Sequence, residues 1–264
     1  MPADLADVRP FLILLAGVIG GVFGSFLNVC ILRWGAEPKQ SVVRPPSRCP
    51  RCGAGVAWYD NVPVLSWLIL RGRCRHCGEP ISIQYPLIEL TTALIWALMV
   101  WRAGPTIEAL RGALFGTVLL GIAMTDARAY IIPDEFTWGG LGLGLLFALA
   151  GGIQGVGQAL LGAAVGFGLL WLVGTAGSWM LKQDAMGGGD IKMMAMVGAF
   201  LGWQGVLLTI FLGALLGSLI FVPLALAGRK QLVPFGIFLA LGGAAAYVVG
   251  PPFYAWYLSA MGIA

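Results

Sequence analysis

The chain has 264 residues, of which 59% are hydrophobic and 11% charged, with 16 Lys or Arg against 12 Asp or Glu. A soluble domain of this length needs far more polar surface to cover its core, so a water-soluble globule is excluded. Apolar runs near bilayer length recur along the sequence, and the ten-residue alternating segments of a transmembrane barrel do not occur. The expectation is an all-α polytopic membrane protein.

In chain order, the first apolar run covers residues 11–32. It is too long for a signal-peptide core and leads into Arg33 rather than a small-residue cleavage site, so it reads as a retained helix. A polar insertion, residues 33–85, follows with eight Lys or Arg against Glu37, Asp60 and Glu79. The positive-inside rule places it in the cytoplasm, and its charge is assigned to topology and anionic headgroups rather than to nucleic acid.

Further helices are predicted over residues 86–101, 109–125, 136–151, 156–180, 191–201, 205–226 and 233–249, about eight spans in all. The 191–201 helix is too short to span alone and is expected to join its neighbour or to cross only partly. Beyond the last helix, Pro251, Pro252, Trp256 and Tyr257 read as an interfacial end. The organisation is an N-terminal transmembrane helix (1–32), a cytoplasmic insertion (33–85) and a membrane core (86–264). On this topology the loop around Asp126, the glycine loop before Asp190 and the Arg229–Lys230 turn share the cytoplasmic side. The 40 glycines suit close helix approach.

Within the insertion stands "CPRCGAGVAWYDNVPVLSWLILRGRCRHCGEPI". Cys49 and Cys52 form one C-x-x-C pair and Cys74 and Cys77 a second, each followed by glycine. Four thiolates in two such pairs suit tetrahedral Zn2+, and a reducing cytoplasm argues against disulfides; a redox C-x-x-C is the alternative. Zinc would also supply folding energy to a segment too small for a core of its own. His76 reads as a bystander, since four cysteines already fill the site, and Cys30 as a small buried hydrophobe.

Acids are rare and their positions informative. Asp126 ends the third predicted helix and Asp190 opens the sixth, both at the cytoplasmic boundary of the membrane. Two carboxylates held together share a proton, so one can activate water while the other donates to a carbonyl, as in aspartic proteases. The competing explanation makes each a helix-end acid, with Asp190 as an N-cap or first-turn residue. Asp134, after Pro133, reads as the N-cap of the fourth helix, and Asp184 as a solvated loop residue.

The stretches "GSFLNVCILR", the cysteine segment above continued to "SIQYPLIEL", "DARAYIIPD" and "AMGGGDIKMMAMVGAFLGW" together resemble the type IV prepilin peptidases, of the GxGD aspartic protease class. The resemblance covers residues 24–203, in order and at family-like spacing. It implies a catalytic pair of Asp126 and Asp190, with Gly187, Gly188 and Gly189 as the active-site loop and residues 86–264 as the protease core. It further implies cleavage of the basic leader of type IV prepilins and pseudopilins at the inner membrane's cytoplasmic face. Methylation of the new N-terminal residue with S-adenosylmethionine is implied as well, and Cys49, Cys52, Cys74 and Cys77 as a zinc site.

No glycine-rich cofactor fingerprint locates the methyltransferase site. Glu89 and Asn28, polar residues near the cytoplasmic ends of their helices, are either helix-to-helix hydrogen-bonding groups or contacts for the substrate leader. Two other classes compete: a transporter using the acids as an ion relay, and a membrane-anchored zinc adaptor in which both are dispensable.

Overall fold

The structure is a computed structural model describing residues 3–184, 186–227 and 234–262, the side chains of residues 3–7 and 225 excepted. The Arg229–Lys230 turn and the predicted helix start at Val233 lie outside the described residues. Helices dominate, and among the described residues extended pairing is limited to two isolated bridges, Arg48 to Gly55 and Arg73 to Pro80. This is what a bilayer demands, because a helix satisfies its own backbone where no water is available. The chain divides into two units, Met1–Gly121 and Ile122–Ala264, with the boundary inside one helix.

The first unit holds α1 (Ala3–Trp34), the short α2 (Leu65–Ile69), α3 (Gln84–Ala103) and the first part of α4 (Ile107–Ala129). α1 and α3 pack antiparallel along a face of α1 that carries Gly17, Gly20 and Gly24. A Cβ on Gly20 would fall 2.8 Å from the Trp96 Cβ, and one on Gly24 would fall 2.7 Å from the Glu89 Cα. The two backbones therefore meet at a distance only glycine permits. α3 is tied to α4 where Trp96 Nε1 donates to Thr117 Oγ1 at 3.0 Å.

The second unit is built around α7 (Gly188–Leu226), against which α5 (Asp134–Ala148), α6 (Gly152–Leu181) and α8 (Phe235–Ala260) all pack. Gly162 of α6 and Gly198 of α7 cross so closely that a Cβ on either would overlap the other's carbonyl oxygen. The α7 helix breaks at Gly202, whose φ of 70° and ψ of 178° suit only glycine. The part before the break, residues 188–201, buries Met193, Met194, Met196, Val197 and Phe200 almost completely. A helix apolar on every side and buried on every side is a bundle core. That explains why a segment too short to span still reads as strongly apolar.

Among the described residues, six helical stretches are long and apolar enough to cross a membrane, against about eight spans expected from sequence. Two of the six are internally broken, Asp134–Leu181 around Gly152 (φ 63°) and Gly188–Leu224 at Gly202, and these breaks account for the difference in number. The helix end expected at residue 249 is corrected: α8 continues through Pro251 and Pro252 to Ala260, so Trp256 and Tyr257 lie on the helix. Proline removes one N–H donor each time, but its fixed φ is compatible with a helix.

Candidate functional site

Asp126 lies in the last turn of α4, 6% exposed. The helix ends just beyond it at Tyr130, whose N–H bonds the Asp126 carbonyl at 2.9 Å and whose φ of 55° turns the chain away. Pro133 then stands at the N-cap position of α5. The Asp126 Oδ2 accepts the N–H of Ile237 at 3.1 Å. Ile237 is in the first turn of α8, where backbone donors have no partner within the helix, so the carboxylate caps a helix remote in sequence.

Asp190 occupies the first turn of α7, its N–H bonded to the Gly187 carbonyl at 3.2 Å. Its Oδ1 is buried and has no hydrogen-bond partner among the described residues. A buried acceptor left unpaired costs roughly 1–3 kcal/mol, more when charged, and an acid serving only as a helix cap would not be left so. The two carboxylates are near enough for the charge of Asp126 to act on Asp190.

One side chain joins their surroundings. A Cβ on Gly189 would lie 2.8 Å from the Ile132 Cβ, and a Cβ on Gly236 would lie 2.8 Å from both Ile132 Cδ1 and Asp126 Oδ2. Gly189 and Gly236 thus lean on the same isoleucine from two helices. None of Gly187, Gly188 and Gly189 takes a positive φ, so the run is not held by left-handed backbone. Gly189 is required for close approach to Ile132, whereas a Cβ on Gly188 would meet nothing within 4 Å.

Asp134 is not the N-cap of α5: the helix starts at Asp134 itself, after Pro133, and no side chain caps it. Its Oδ1 instead pairs with Lys192 Nζ at 2.7 Å, linking the start of α5 to the start of α7. Sequence reasoning passed over Lys192, Ile132 and Gly236. The first stands two residues after Asp190, a signal that was available; no spacing singles out the other two.

Glu89 and Asn28 belong to the first unit. Asn28 Nδ2 donates to the carbonyls of Tyr85 at 3.1 Å and Gly24 at 3.3 Å. Glu89 Oε2 accepts the Val64 N–H at 2.7 Å. Val64 has a φ of 62° and ψ of −49°, and the Leu65 N–H reaches back to the Pro63 carbonyl at 2.6 Å, forming a γ-turn. For a β-branched residue this costs on the order of 1–3 kcal/mol, so the surroundings must impose it.

The insertion also assembles its four cysteines, whose sulfurs all lie within 4.8 Å of one another. The two C-x-x-C segments fold alike. In the first, Gly53 N–H bonds the Cys49 carbonyl and Cys49 N–H the Ala54 carbonyl, each at 2.9 Å. In the second, Gly78 N–H bonds the Cys74 carbonyl at 2.9 Å and Cys74 N–H the Glu79 carbonyl at 2.8 Å. Gly53 and Gly78 turn the chain with φ of 70° and 72°.

Cys49 Sγ and Cys77 Sγ are 3.8 Å apart. A tetrahedron with metal–sulfur bonds of about 2.3 Å has edges of about 3.8 Å, so the cluster fits a metal the size of zinc. The backbone N–H groups of Cys52 and Arg51 draw the Cys49 thiol down to about 6. The Glu79 N–H favours the Cys77 thiolate, but desolvation and the sulfurs of Cys74, Cys52 and Cys49 push that thiol up to about 12. His76 is outside the cluster. Arg75 braces the site from beside it, its Nε donating to Asp60 Oδ2 at 2.8 Å and its guanidinium 5.5 Å from the Tyr59 ring centre.

Residues 18–103 match the Bacterial Peptidase A24 N-terminal domain and residues 113–222 the Type IV leader peptidase family. A relative from Aeromonas hydrophila, named prepilin leader peptidase/N-methyltransferase, is 35% identical over 97% of this chain and 97% of its own length. The chain belongs to the type IV leader peptidase family.

A relative of the same name from Neisseria gonorrhoeae is 33% identical over 91% of this chain and 92% of its own length. One from Myxococcus xanthus is 41% identical over 80% of this chain, a match that spans 62% of that protein. No solved structure matches the chain significantly. Family membership and the six long apolar helices together make this a multi-pass bacterial membrane protein.

Proposed function

We propose that this member of the leader peptidase family is an aspartyl endopeptidase that removes the basic leader from type IV prepilins and from pseudopilins of type II secretion. Cleavage takes place at the cytoplasmic face of the inner membrane. The observation that carries the reading is that Gly189, next to Asp190, and Gly236, which lies against Asp126, both close on Ile132, while one Asp190 oxygen is buried and has no partner among the described residues. Cleavage needs no more than these side chains and water. The ionised carboxylate takes a proton from water, the water oxygen attacks the scissile carbonyl carbon, and the neutral carboxyl donates its proton to the carbonyl oxygen. Collapse of the tetrahedral species breaks the C–N bond, and a carboxyl returns a proton to the leaving amine. Of the active-site glycines Gly187 to Gly189, it is Gly187, where a Cβ would fall 3.4 Å from Asp190 Oδ2, that leaves room for an extended substrate strand beside the carboxylate.

The names of the relatives support a second activity, methylation of the new N-terminal residue. S-adenosylmethionine supplies an electrophilic methyl group when bound. Cys49, Cys52, Cys74 and Cys77 hold structural Zn2+, which orders the insertion and takes no part in peptide hydrolysis. Glu89 and Asn28 are further candidates for contact with the leader, and normal processing and methylation by Glu89→Ala would remove Glu89 from that role.

The test is to incubate purified protein with a prepilin and follow the leader by mass. Asp126→Asn and Asp190→Asn are each expected to abolish cleavage while remaining folded. Wild-type cleavage by either variant would reject that residue as catalytic. A methyl-sized mass gain that depends on S-adenosylmethionine establishes the second activity.

A further inference from the structure

The segment between α1 and α3 does not stand clear of the helix ends. Asn28 of α1 is level with Tyr85, the second residue of α3, whose carbonyl it binds at 3.1 Å. Pro63 packs further down, against Gly21, where a Cβ would meet its Cβ at 3.4 Å. Gly21 precedes Asn28 by seven residues. At 1.5 Å per residue that is about 10 Å deeper along α1. Its neighbour Gly20 opposes Thr92 and Trp96, near the middle of α3. The turn at Pro63 therefore reaches toward mid-depth of two membrane helices.

Irregular backbone survives at such depth only where protein satisfies its polar groups. The backbone N–H groups of residues 62–66 are accounted for. Val62 N–H bonds Ser66 Oγ at 2.9 Å, Val64 N–H bonds Glu89 Oε2 at 2.7 Å, and Leu65 N–H bonds the Pro63 carbonyl at 2.6 Å. Ser66 N–H bonds the Val62 carbonyl at 3.1 Å, the Ser66 hydroxyl donates to the Tyr59 carbonyl at 3.0 Å, and Pro63 has no N–H. The apolar side chains are meanwhile turned outward: Leu65 and Leu68 are each 57% exposed and Ile69 is 75% exposed. Polar backbone tucked in with large aliphatics outside suits hydrocarbon rather than water. Exposed Arg71 and Arg73 follow directly, as a basic rim suited to phosphate headgroups.

We propose that residues 61–70 are a re-entrant wedge seated in one leaflet, with Leu65, Leu68 and Ile69 against lipid acyl chains and Glu89 as the anchor that satisfies the Val64 N–H. The continuity is with α1, whose Val18 and Val22 are exposed beside the Gly21 contact. The wedge holds the cysteine cluster down on the membrane surface instead of letting it project on a free loop. This rests on the chain being a membrane protein and is independent of the peptidase reading.

The test uses the full chain in vesicles of phosphatidylethanolamine and phosphatidylglycerol. A ketone-bearing amino acid at position 69, and separately at position 39, carries a nitroxide whose collisions with oxygen and with a water-soluble nickel chelate are measured. Position 39 is the aqueous reference, since Lys39 is a charged and exposed residue of the same insertion. The ratio of oxygen to nickel collisions is expected to be several-fold higher at position 69 than at position 39. Equal nickel access at the two positions would overturn the proposal, as would shielding of position 69 from both reagents, which marks a protein-covered face. In Glu89→Leu the label at position 69 is expected to gain nickel access; no change would overturn the anchoring part assigned to Glu89.

Discussion

Gly236→Ala probes the candidate catalytic pair without substituting either aspartate. The added Cβ lies 2.8 Å from Asp126 Oδ2 and 3.1 Å from its Cγ, so the carboxylate must retreat by about 0.6 Å to reach ordinary contact at 3.4 Å. Ile132 Cδ1, also 2.8 Å away, blocks part of that retreat. Withdrawal strains or breaks the 3.1 Å bond from Ile237 N–H, a hydrogen bond to a charged group worth about 1.5–3 kcal/mol. Alanine in place of glycine returns at most about 1 kcal/mol of helix propensity in α8. A shift of about 1 Å can lower a rate about 100-fold, so kcat for leader removal should fall by about 10-fold or more, with KM little changed. Steady-state cleavage of a prepilin, with thermal unfolding as the check on folding, measures both. A folded Gly236→Ala enzyme with kcat within about twofold of wild type would refute the assignment of Asp126 as a positioned catalytic group.

Other outcomes follow from the same geometry. Gly188→Ala should process substrate normally, since none of the described residues lies within 4 Å of its Cβ position, whereas Gly189→Ala should impair kcat by driving into Ile132 Cβ; equal activities would contradict the close-approach role. Lys192→Met breaks a pair whose side chains are 34% and 49% exposed, so it should cost less than about 1 kcal/mol in a melting experiment. Zinc affinity, read by competition with a chromophoric chelator, should weaken as pH falls. Desolvation and the neighbouring sulfurs push the Cys77 thiol up to about 12, so it must release a proton to bind metal and protons compete more strongly in acid. One proton released gives about a tenfold change per pH unit, hence about 100-fold or more from about pH 8 to about pH 6. A flat pH profile would show that no proton is displaced.

The two C-x-x-C pairs and the two intramembrane acids were legible because each announces itself by residue type: clustered cysteines in a basic loop, and carboxylates where hydrocarbon penalises charge. The reach of the structure beyond that lies in contacts between distant segments. Ile237 caps onto Asp126 from 111 positions away, and no local pattern around "VPFGIF" marks it. The glycine run before Asp190 looked like a conformational hinge, yet only Gly189 is pressed upon, and by a side chain on another element. Pro251 and Pro252 lie beyond the last helix as predicted from sequence, but the fixed φ of proline is compatible with a helix and α8 passes through them.

What the amino-acid sequence by itself determined is the solvent and the chemistry. Its apolar content demands a bilayer and self-satisfied helices, its paired cysteines are a donor set that suits a soft metal, and its few acids in apolar surroundings are candidates for proton chemistry. What only the tertiary structure decided is which backbones touch. Gly24 against Glu89, Gly162 against Gly198, and Gly189 and Gly236 against Ile132 are separations of a few ångström set by pairs of elements. A single chain segment carries no record of such a distance, because close approach is a property of two surfaces at once. The same holds for Glu89, whose carboxylate is an interior acid by composition and an anchor for a strained turn only once Val64 is brought to it.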